Sequence, residues 1–513
     1  MHELMRKLAE RRHQGQFRKV REGETPVPYI EHPKAVVKNL LDWGEPETSS
    51  AVGIAWGHDL LEDTAATYQD ILAASDETVA AAIRLLTHEK GTDKRLYIRN
   101  VARSGNRAAL LVKISDRIQN TRDFVRLEGP LRAFRYLHDA DSIFEAVRAL
   151  PQDAVLPKAI AAWRELDGSL RDAARHDAIR GCLLGGAAGD ALGAPVEFMS
   201  KAEILRKYGP DGVTGYVEFA GGTGAITDDT QMTLFTAEGI LRGQTRSSEK
   251  GICDPVMVMR HAYLRWLKTQ GISPRAPEEY IGSGWLVGEK LLWRRRAPGN
   301  TCLAALSSDD VPARNRSKGC GTVMRMAPAG LFFSPESAYE VGCKFSALTH
   351  GHPTGITAGG AFAMLIAELL AGKKPDDALD LVLEFLADNP DAAETADALK
   401  KARSAKDIAE LGEGWVAEEA LAIGVFCALK HPWDFRAGVL EAVNITGDSD
   451  STGAITGNIL GVINGESAIP PEWLENLRER QIVARVADDL WKQFESGPDG
   501  YVTDEWWAKY PGF

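Results

Sequence analysis

Apolar residues recur at helical spacing through almost the whole chain, and the alternating patterns that mark strands are rare and short. Segments at 78–86, 359–370 and 417–429 show the apolar spacing or the Ala/Leu richness of helices, and Gly and Pro cluster between them as breakers. The pattern predicts an all-α fold. With 513 residues the chain exceeds the size at which single cores stop growing, so two or more domains are expected. Pro151, Pro157 and a polar helix-like run at 164–175 interrupt the apolar pattern before a small-residue segment begins at Ile179. The domain boundary therefore falls between 150 and 178. The final stretch, 496–513, carries Trp506, Trp507 and Tyr510, an aromatic tail expected to dock on its own domain.

Composition disfavours several classes of function. There is no run of about 18 apolar residues, so no membrane span is expected, and the N-terminus lacks the apolar core of a secretory signal. The six cysteines (Cys182, Cys253, Cys302, Cys320, Cys343, Cys427) form no CxxC pair. That argues against a disulfide framework or structural zinc and fits a reducing, cytoplasmic setting. A formal net charge of −12 argues against general nucleic-acid binding, although a local basic patch can still grip phosphates.

Two sets of candidate metal ligands differ in character. The first third carries His32, His58-Asp59 with Glu62-Asp63 one turn on, and Asp116: nitrogen mixed with oxygen. The remainder carries Thr227-Asp228-Asp229 and, far downstream, Asp448-Ser449-Asp450-Ser451: oxygen alone. Imidazole with carboxylate suits transition metals, whereas hydroxyl with carboxylate suits magnesium or manganese. Two such sets point to two catalytic domains.

On a helix, His58/Glu62 and Asp59/Asp63 are i,i+4 pairs, so their polar groups project from neighbouring faces. The preceding residues 51–56 are apolar, and burying acids there is costly unless a metal or partner charges offset it. Metal beside acids is a hydrolytic arrangement: the metal lowers the pKa of a bound water and the carboxylates shuttle protons. Singly the pieces are weak, since His32 can cap a helix start and Asp116 can pair with Arg117 or Arg122. The ordered set is more specific. It resembles, over residues 1–150, the HD-superfamily hydrolase domain of RelA/SpoT-type alarmone hydrolases. The matching pieces are His13-Gln14-Gly15-Gln16-Phe17-Arg18-Lys19, Pro28-Tyr29-Ile30-Glu31-His32-Pro33, the segment 58–64, and Val112-Lys113-Ile114-Ser115-Asp116-Arg117-Ile118-Gln119-Asn120. The resemblance implies manganese on His32, His58, Asp59 and Asp116, with Glu62 and Asp63 activating water. It implies Arg18, Lys19 and Arg117 on phosphate and Asn120 on sugar or base. The implied reaction removes pyrophosphate from the ribose 3′ position of an alarmone such as ppGpp. The segment 22–27 makes a longer connection than the family pattern.

Thr227-Asp228-Asp229 and Asp448-Ser449-Asp450-Ser451 each precede a helical pattern, and helix capping alone explains either. Their co-occurrence with Gly189-Asp190-Ala191-Leu192-Gly193, Glu197, the loop Gly319-Cys320-Gly321-Thr322-Val323-Met324-Arg325 and Thr349-His350-Gly351-His352-Pro353 is more specific. Over residues 176–490 this set resembles the ADP-ribosylglycohydrolase family, which includes the dinitrogenase reductase-activating glycohydrolases. The resemblance implies an all-helical domain with two magnesium or manganese ions on Thr227, Asp228, Asp229, Asp448, Asp450 and Ser451. Relatives often carry Thr in place of Ser451. Glu197, Asp228 and Asp229 are the implied proton-transfer groups; Gly319, Gly321 and Arg325 would meet the diphosphate, and His350 would line the cleft. Gly181, Gly185 and Gly189, at i+4 spacing, read as a close helix-packing face.

Together these imply an HD metal-dependent phosphohydrolase domain at 1–160, a linker at 161–177, an ADP-ribosylglycohydrolase domain at 178–495 and the tail. The expected protein is a bifunctional hydrolase acting on nucleotide and ADP-ribose-bearing substrates, as an antidote to toxins that make such modifications. A sensor that binds without turnover and a general nucleotide phosphohydrolase are the alternatives.

Overall fold

The computed structural model describes residues 1–21, 23–493 and 502–512. Glu22 of the 22–27 connection, 494–495 of the second predicted domain, and 496–501 and 513 of the predicted tail lie outside the described residues. The fold is all-α: among the described residues β pairing is confined to isolated bridges such as Phe17 with Pro28 and Gly319 with Val416. The chain forms two compact units, Met1–Ala174 and Arg175–Phe513. The helix Leu156–Gly193 contains both the division and the stretch 161–177.

In the first unit, helices Glu31–Trp43, Ser50–Gly57 and Arg107–Glu128 pack against one another. The middle one is buried along its whole length, as its apolar sequence requires. Trp163 and Leu170 complete this unit's core. The predicted helix through His58–Asp63 is interrupted: one helix ends at Gly57 and a short turn of helix resumes at Leu60–Asp63. At the break the His58 ring, through Nδ1, takes the Ala55 carbonyl at 2.7 Å.

In the second unit, helices Asp228–Lys250, Pro353–Leu370, Ala417–Lys430 and Ser449–Asn464 are buried over most of their length. Three of them are apolar nearly all round, as interior helices are, whereas Asp228–Lys250 buries Asp228, Asp229, Glu238 and Arg242 as well. Pro353–Leu370 is long and apolar enough to cross a membrane, and 83% of it is buried inside the unit. Trp506 of the tail donates its indole N–H to Thr245 at 3.1 Å, and the Tyr510 hydroxyl donates to Asp489 at 2.7 Å, so the tail docks on this unit.

The small-residue face predicted at Gly181, Gly185 and Gly189 meets a matching row, Gly453, Gly457 and Gly461, on helix Ser449–Asn464. A Cβ at Gly189 would lie 2.0 Å from the Gly453 carbonyl oxygen and one at Gly185 would lie 2.5 Å from that of Gly457. Backbone thus packs on backbone, which only glycine permits. Gly189→Ala should therefore destabilise the second unit by about 3 kcal/mol. Gly168→Ala, on the same helix but with nothing within 4 Å of an added methyl, should stabilise by about 0.5–1 kcal/mol through helix propensity. Urea unfolding of the two variants checks this pair.

Candidate active sites

In the first unit four ligand atoms converge. His32 Nε2 lies 3.1 Å from Asp116 Oδ1 and 3.5 Å from Asp59 Oδ2, and His58 Nε2 lies 3.1 Å from Asp59 Oδ2 and 3.6 Å from Asp116 Oδ1. The two imidazole Nε2 atoms are 3.3 Å apart. The Ala55 carbonyl fixes the His58 proton on Nδ1 and leaves Nε2 for a cation, a common outer-shell device. Burial opposes a charge on His58, but Asp59 and Asp116 raise its pKa to about 10. Burial likewise opposes charge on Asp116, and the Lys113 ammonium at 2.9 Å, with the two histidines, holds it well below the usual carboxylate range. The four converging ligand atoms fit a single ion held by mixed nitrogen and oxygen.

Glu62 and Asp63 stand exposed at the mouth of this cluster. Glu62 accepts from the His88 backbone N–H at 3.1 Å. Tyr29, which sequence reasoning left without a role, donates its hydroxyl toward both Asp59 Oδ2 at 2.9 Å and Asp63 Oδ2 at 2.6 Å. It thereby ties a ligand to a candidate base. Arg18 and Asn120 come together at 2.8 Å, and Asp123, also unforeseen, takes Arg18 at 2.6 Å. Asn120 in turn donates to Asp116 Oδ1 at 2.6 Å. Lys19 is exposed. Arg117 is buried: it donates to the Tyr136 carbonyl at 2.9 Å and its guanidinium lies 4.0 Å from the Tyr136 ring centre. Tyr29→Phe should weaken manganese binding by about 10-fold; isothermal titration against the unchanged protein measures it.

In the second unit the first turns of two helices meet. Thr227 caps helix Asp228–Lys250, placing Asp228 and Asp229 in its first turn, and Asp450 and Ser451 sit in the first turn of Ser449–Asn464. Glu197, Asp448 and Asp450 present carboxylate oxygens within 4.8 Å of one another. Asp190, absent from the sequence-derived ligand set, organises the approach: its carboxylate accepts from the Thr227 N–H at 2.9 Å, the Thr230 N–H at 3.1 Å and the Thr230 hydroxyl at 2.5 Å. The quoted GDALG stretch already held this residue, but nothing local says which amides it caps. Asp228 accepts from the Gly299 N–H at 3.2 Å. Asp229 Oδ2 and Asp448 Oδ2 are buried without a protein partner, and Ser451 lies within 3.5 Å of the Cys320 sulfur.

Burial and mutual repulsion raise the whole group. Asp228, Asp229 and Asp448 lie well above the ordinary value. Asp190 rises to about 7 through burial and Asp450, and Glu197 to about 10 through burial, Asp450, Asp448 and Asp228. Orphaned buried oxygens and an excess of negative charge are what a hard-cation site requires.

Gly319 and Gly321 flank this group. Cys320 N–H donates to the Trp415 carbonyl at 3.2 Å, and His350 Nε2 lies 3.5 Å and 3.6 Å from where Cβ atoms on Gly319 and Gly321 would be. At Gly321 an added Cβ would also lie 3.1 Å from His350 Cε1 and 3.0 Å from the Cys302 sulfur, so a larger residue there would crowd the imidazole. Burial and Arg325 lower the His350 pKa to about 3, so the ring is neutral. Arg325, expected at the diphosphate, is fully buried. Its guanidinium donates to the Gly321 carbonyl, to the Tyr263 hydroxyl at 3.1 Å and to Thr349 at 2.6 Å, bracing the loop from behind.

The profile of the ADP-ribosylglycohydrolase family matches residues 171–499, and the chain belongs to this family of hydrolases. The ADP-ribosyl-[dinitrogen reductase] glycohydrolase of Rhodospirillum rubrum is 27% identical over 322 residues, covering 61% of this chain and 95% of the relative. The ADP-ribosylarginine hydrolase Tri1 of Pseudomonas putida is 25% identical over 323 residues, covering 61% and 78%. The N-terminal part is similar to a different hydrolase: the guanosine-3′,5′-bis(diphosphate) 3′-pyrophosphohydrolase MESH1 of Danio rerio is 31% identical over 123 residues, 23% of this chain and 66% of the relative.

A carboxyl whose pKa is higher folded than unfolded keeps its proton in the native state; the stability it contributes is present below the unfolded value and is lost as pH rises through the folded one. For Asp190 that window runs from 3.8 to about 7, and for Glu197 from 4.5 to about 10. The metal-free second unit should therefore melt at lower temperature at about pH 9 than at about pH 5, and magnesium should stabilise it more at the higher pH. Thermal scans with chelator and with magnesium check both statements.

Proposed function

We propose that the chain is a bifunctional hydrolase: the second unit removes ADP-ribose from an ADP-ribosylated target, and the first removes 3′-pyrophosphate from an alarmone-like nucleotide. The observation that carries the reading is the presence of two separate buried ligand groups of opposite electrostatic character, each in the part similar to the corresponding hydrolase. A bound divalent ion, manganese in the first unit and a pair of magnesium or manganese ions in the second, supplies Lewis acidity and lowers the pKa of a water. His32, His58, Asp59 and Asp116 would hold the single ion of the first unit; Thr227, Asp228, Asp229, Asp448, Asp450 and Ser451 would hold the pair in the second.

In the first unit Glu62 and Asp63 take the proton of the attacking water, and Tyr29 orients Asp63 for this. Water oxygen joins phosphorus, the bond to the ribose 3′ oxygen breaks, and that oxygen leaves protonated. Arg18 and Lys19 face the phosphates and Asn120 the sugar, while buried Arg117 positions Tyr136. In the second unit Glu197 is the proton-transfer group, because it belongs both to the carboxylate cluster and to the adjoining pocket. Gly319 and Gly321 let backbone approach the diphosphate beside neutral His350, with Arg325 as a brace. The pairing of two activities that undo nucleotide-based modifications suits an antidote to toxins of either class; co-expression with such toxins checks that role.

Asp59→Ala should abolish release of pyrophosphate from ppGpp and leave release of ADP-ribose from ADP-ribosylarginine intact, and Asp450→Ala should do the converse. Each loss should exceed the roughly 100-fold that outer-shell changes cost. Paired assays in manganese and magnesium measure this; loss of both activities in either variant contradicts two independent sites.

A further inference from the structure

Beside the second unit's carboxylate cluster lies a cavity of about 420 Å³, lined among others by Glu197, Phe198, Phe219, Ala220, Arg295 and Ala297. Its position relative to the cluster is informative. Cys320 of the glycine loop stands against Ser451 at 3.5 Å, and the Trp415 backbone that takes the Cys320 N–H separates the loop from the cavity wall at Phe198. The cavity opens instead on Glu197 and the segment 295–297, whose Arg296 carbonyl accepts from the Asp228 N–H at 3.2 Å. A substrate whose ADP-ribose runs along the glycine loop and whose scissile bond sits at the carboxylates therefore carries its other half toward this cavity.

The cavity's walls are unusual in three respects. Phe198, directly after Glu197, is 76% exposed and stacks on Trp415, with ring centres 5.6 Å apart and planes 19° from parallel. Large exposed aromatics that close to a reacting centre provide a contact surface for a partner. Arg295 is exposed, while its neighbour Arg296 is buried and committed to Glu479 at 2.9 Å and to the Ile226 carbonyl. Arg295 is thus the cation that the wall presents outward. Third, among the described residues only Ala220, Ala297 and Gln493 are non-glycine residues with positive φ, and both alanines, each at φ 50°, line this cavity. Ala220 sits in a tight turn closed by Phe219 N–H on the Gly222 carbonyl at 2.7 Å and held by Arg478 on the Gly221 carbonyl. Backbone strain of this kind persists where the surroundings enforce it, and it clusters at ligand sites.

We propose that this cavity is the subsite for the acceptor side of the substrate, and that it takes a protein segment bearing an acidic residue next to the ADP-ribosylated side chain. The inference rests on the ADP-ribose-removing reading of the second unit and adds to it the chemistry of the target. The acidic residue pairs with Arg295, and an apolar neighbour packs on Phe198 and Phe219. A peptide fits these walls better than a nucleic acid does, because a polynucleotide needs a track of cations along its backbone, whereas the exposed cation lining this wall is Arg295.

Three probes and one competitor test the subsite: free ADP-ribosylarginine, ADP-ribosylarginine within a peptide flanked either by aspartates or by lysines, and an ADP-ribosylated oligonucleotide as the competitor. The unchanged enzyme should favour the acidic over the basic peptide in kcat/KM by about 5-fold, the range of one half-exposed ion pair. Arg295→Glu should reverse that preference and move free ADP-ribosylarginine by less than about 2-fold. Equal turnover of both peptides, a variant that shifts all three probes alike, or faster turnover of an ADP-ribosylated oligonucleotide than of the acidic peptide would overturn the subsite alone. Failure to hydrolyse any probe removes the ADP-ribose reading and the subsite with it.

Discussion

The second unit is organised around the burial of acids that, among the described residues, pair with no lysine or arginine. Asp190, Glu197, Asp228, Asp229, Asp448 and Asp450 share one interior region, where burial raises the proton affinity of all six and the Asp450 carboxylate raises that of the other five. Helix N-termini offset part of this, since the first-turn positions of Asp228, Asp229 and Asp450 lie at the positive ends of two helix dipoles. That contribution amounts to about 1–2 kcal/mol per group at best, small against the several kcal/mol an uncompensated buried charge costs. Protons or divalent cations must supply the rest. The first unit meets the same constraint differently: His58 and Lys113 stand within 3.1 Å of the carboxylates they neutralise, and His32 Nε2 lies 3.1 Å from Asp116 Oδ1.

Bringing two acidic helix starts together requires that their helices approach closely, and glycine makes this possible. The contact of Gly181, Gly185 and Gly189 with Gly453, Gly457 and Gly461 is backbone on backbone, and it continues to Gly193, where an added Cβ would lie 2.1 Å from the Ser449 carbonyl oxygen. The last turn of one helix thus abuts the first turn of the other. Asp190 then reaches across to the amides of Thr227 and Thr230 and fixes the second acidic helix start. The glycine row is structural in itself, yet through Asp190 and Ser449 it determines where the ligands stand.

Much of this was legible in the sequence for a specific reason: the ligands fall in short runs of neighbouring residues at helix ends. His58-Asp59, Thr227-Asp228-Asp229 and Asp448-Ser449-Asp450-Ser451 can be read locally, as can the glycines at i+4 spacing. What stayed hidden depends on contacts between distant segments. Tyr29 bonds to Asp63 across 34 positions, Arg18 to Asp123 across 105, and Asp190 to Thr227 across 37. The break at His58 was hidden for another reason, since periodicity reports which face a residue occupies and not whether a side chain competes for a backbone carbonyl. Arg325 illustrates the opposite error. An arginine after a glycine loop invites a phosphate reading, but the hydrophobic run behind it draws the guanidinium inward, where Tyr263 and Thr349 saturate it.

The two ways of burying carboxylates imply two different dependences on metal. In the first unit the negative charge is already balanced by side chains, so removing an ion leaves His32, His58 and Asp116 in mutual contact and the geometry is retained. In the second, no such substitute faces Asp229 Oδ2 or Asp448 Oδ2, and removing the ions leaves either repelling charges or protonated acids with altered hydrogen bonds. A cation bound there would be a folding ligand as well as a catalytic one, because any cation that binds only the native arrangement shifts the folding equilibrium by its own binding free energy. Chelation should accordingly loosen the N-termini of Asp228–Lys250 and Ser449–Asn464 before it disturbs the helices that carry His32 and His58.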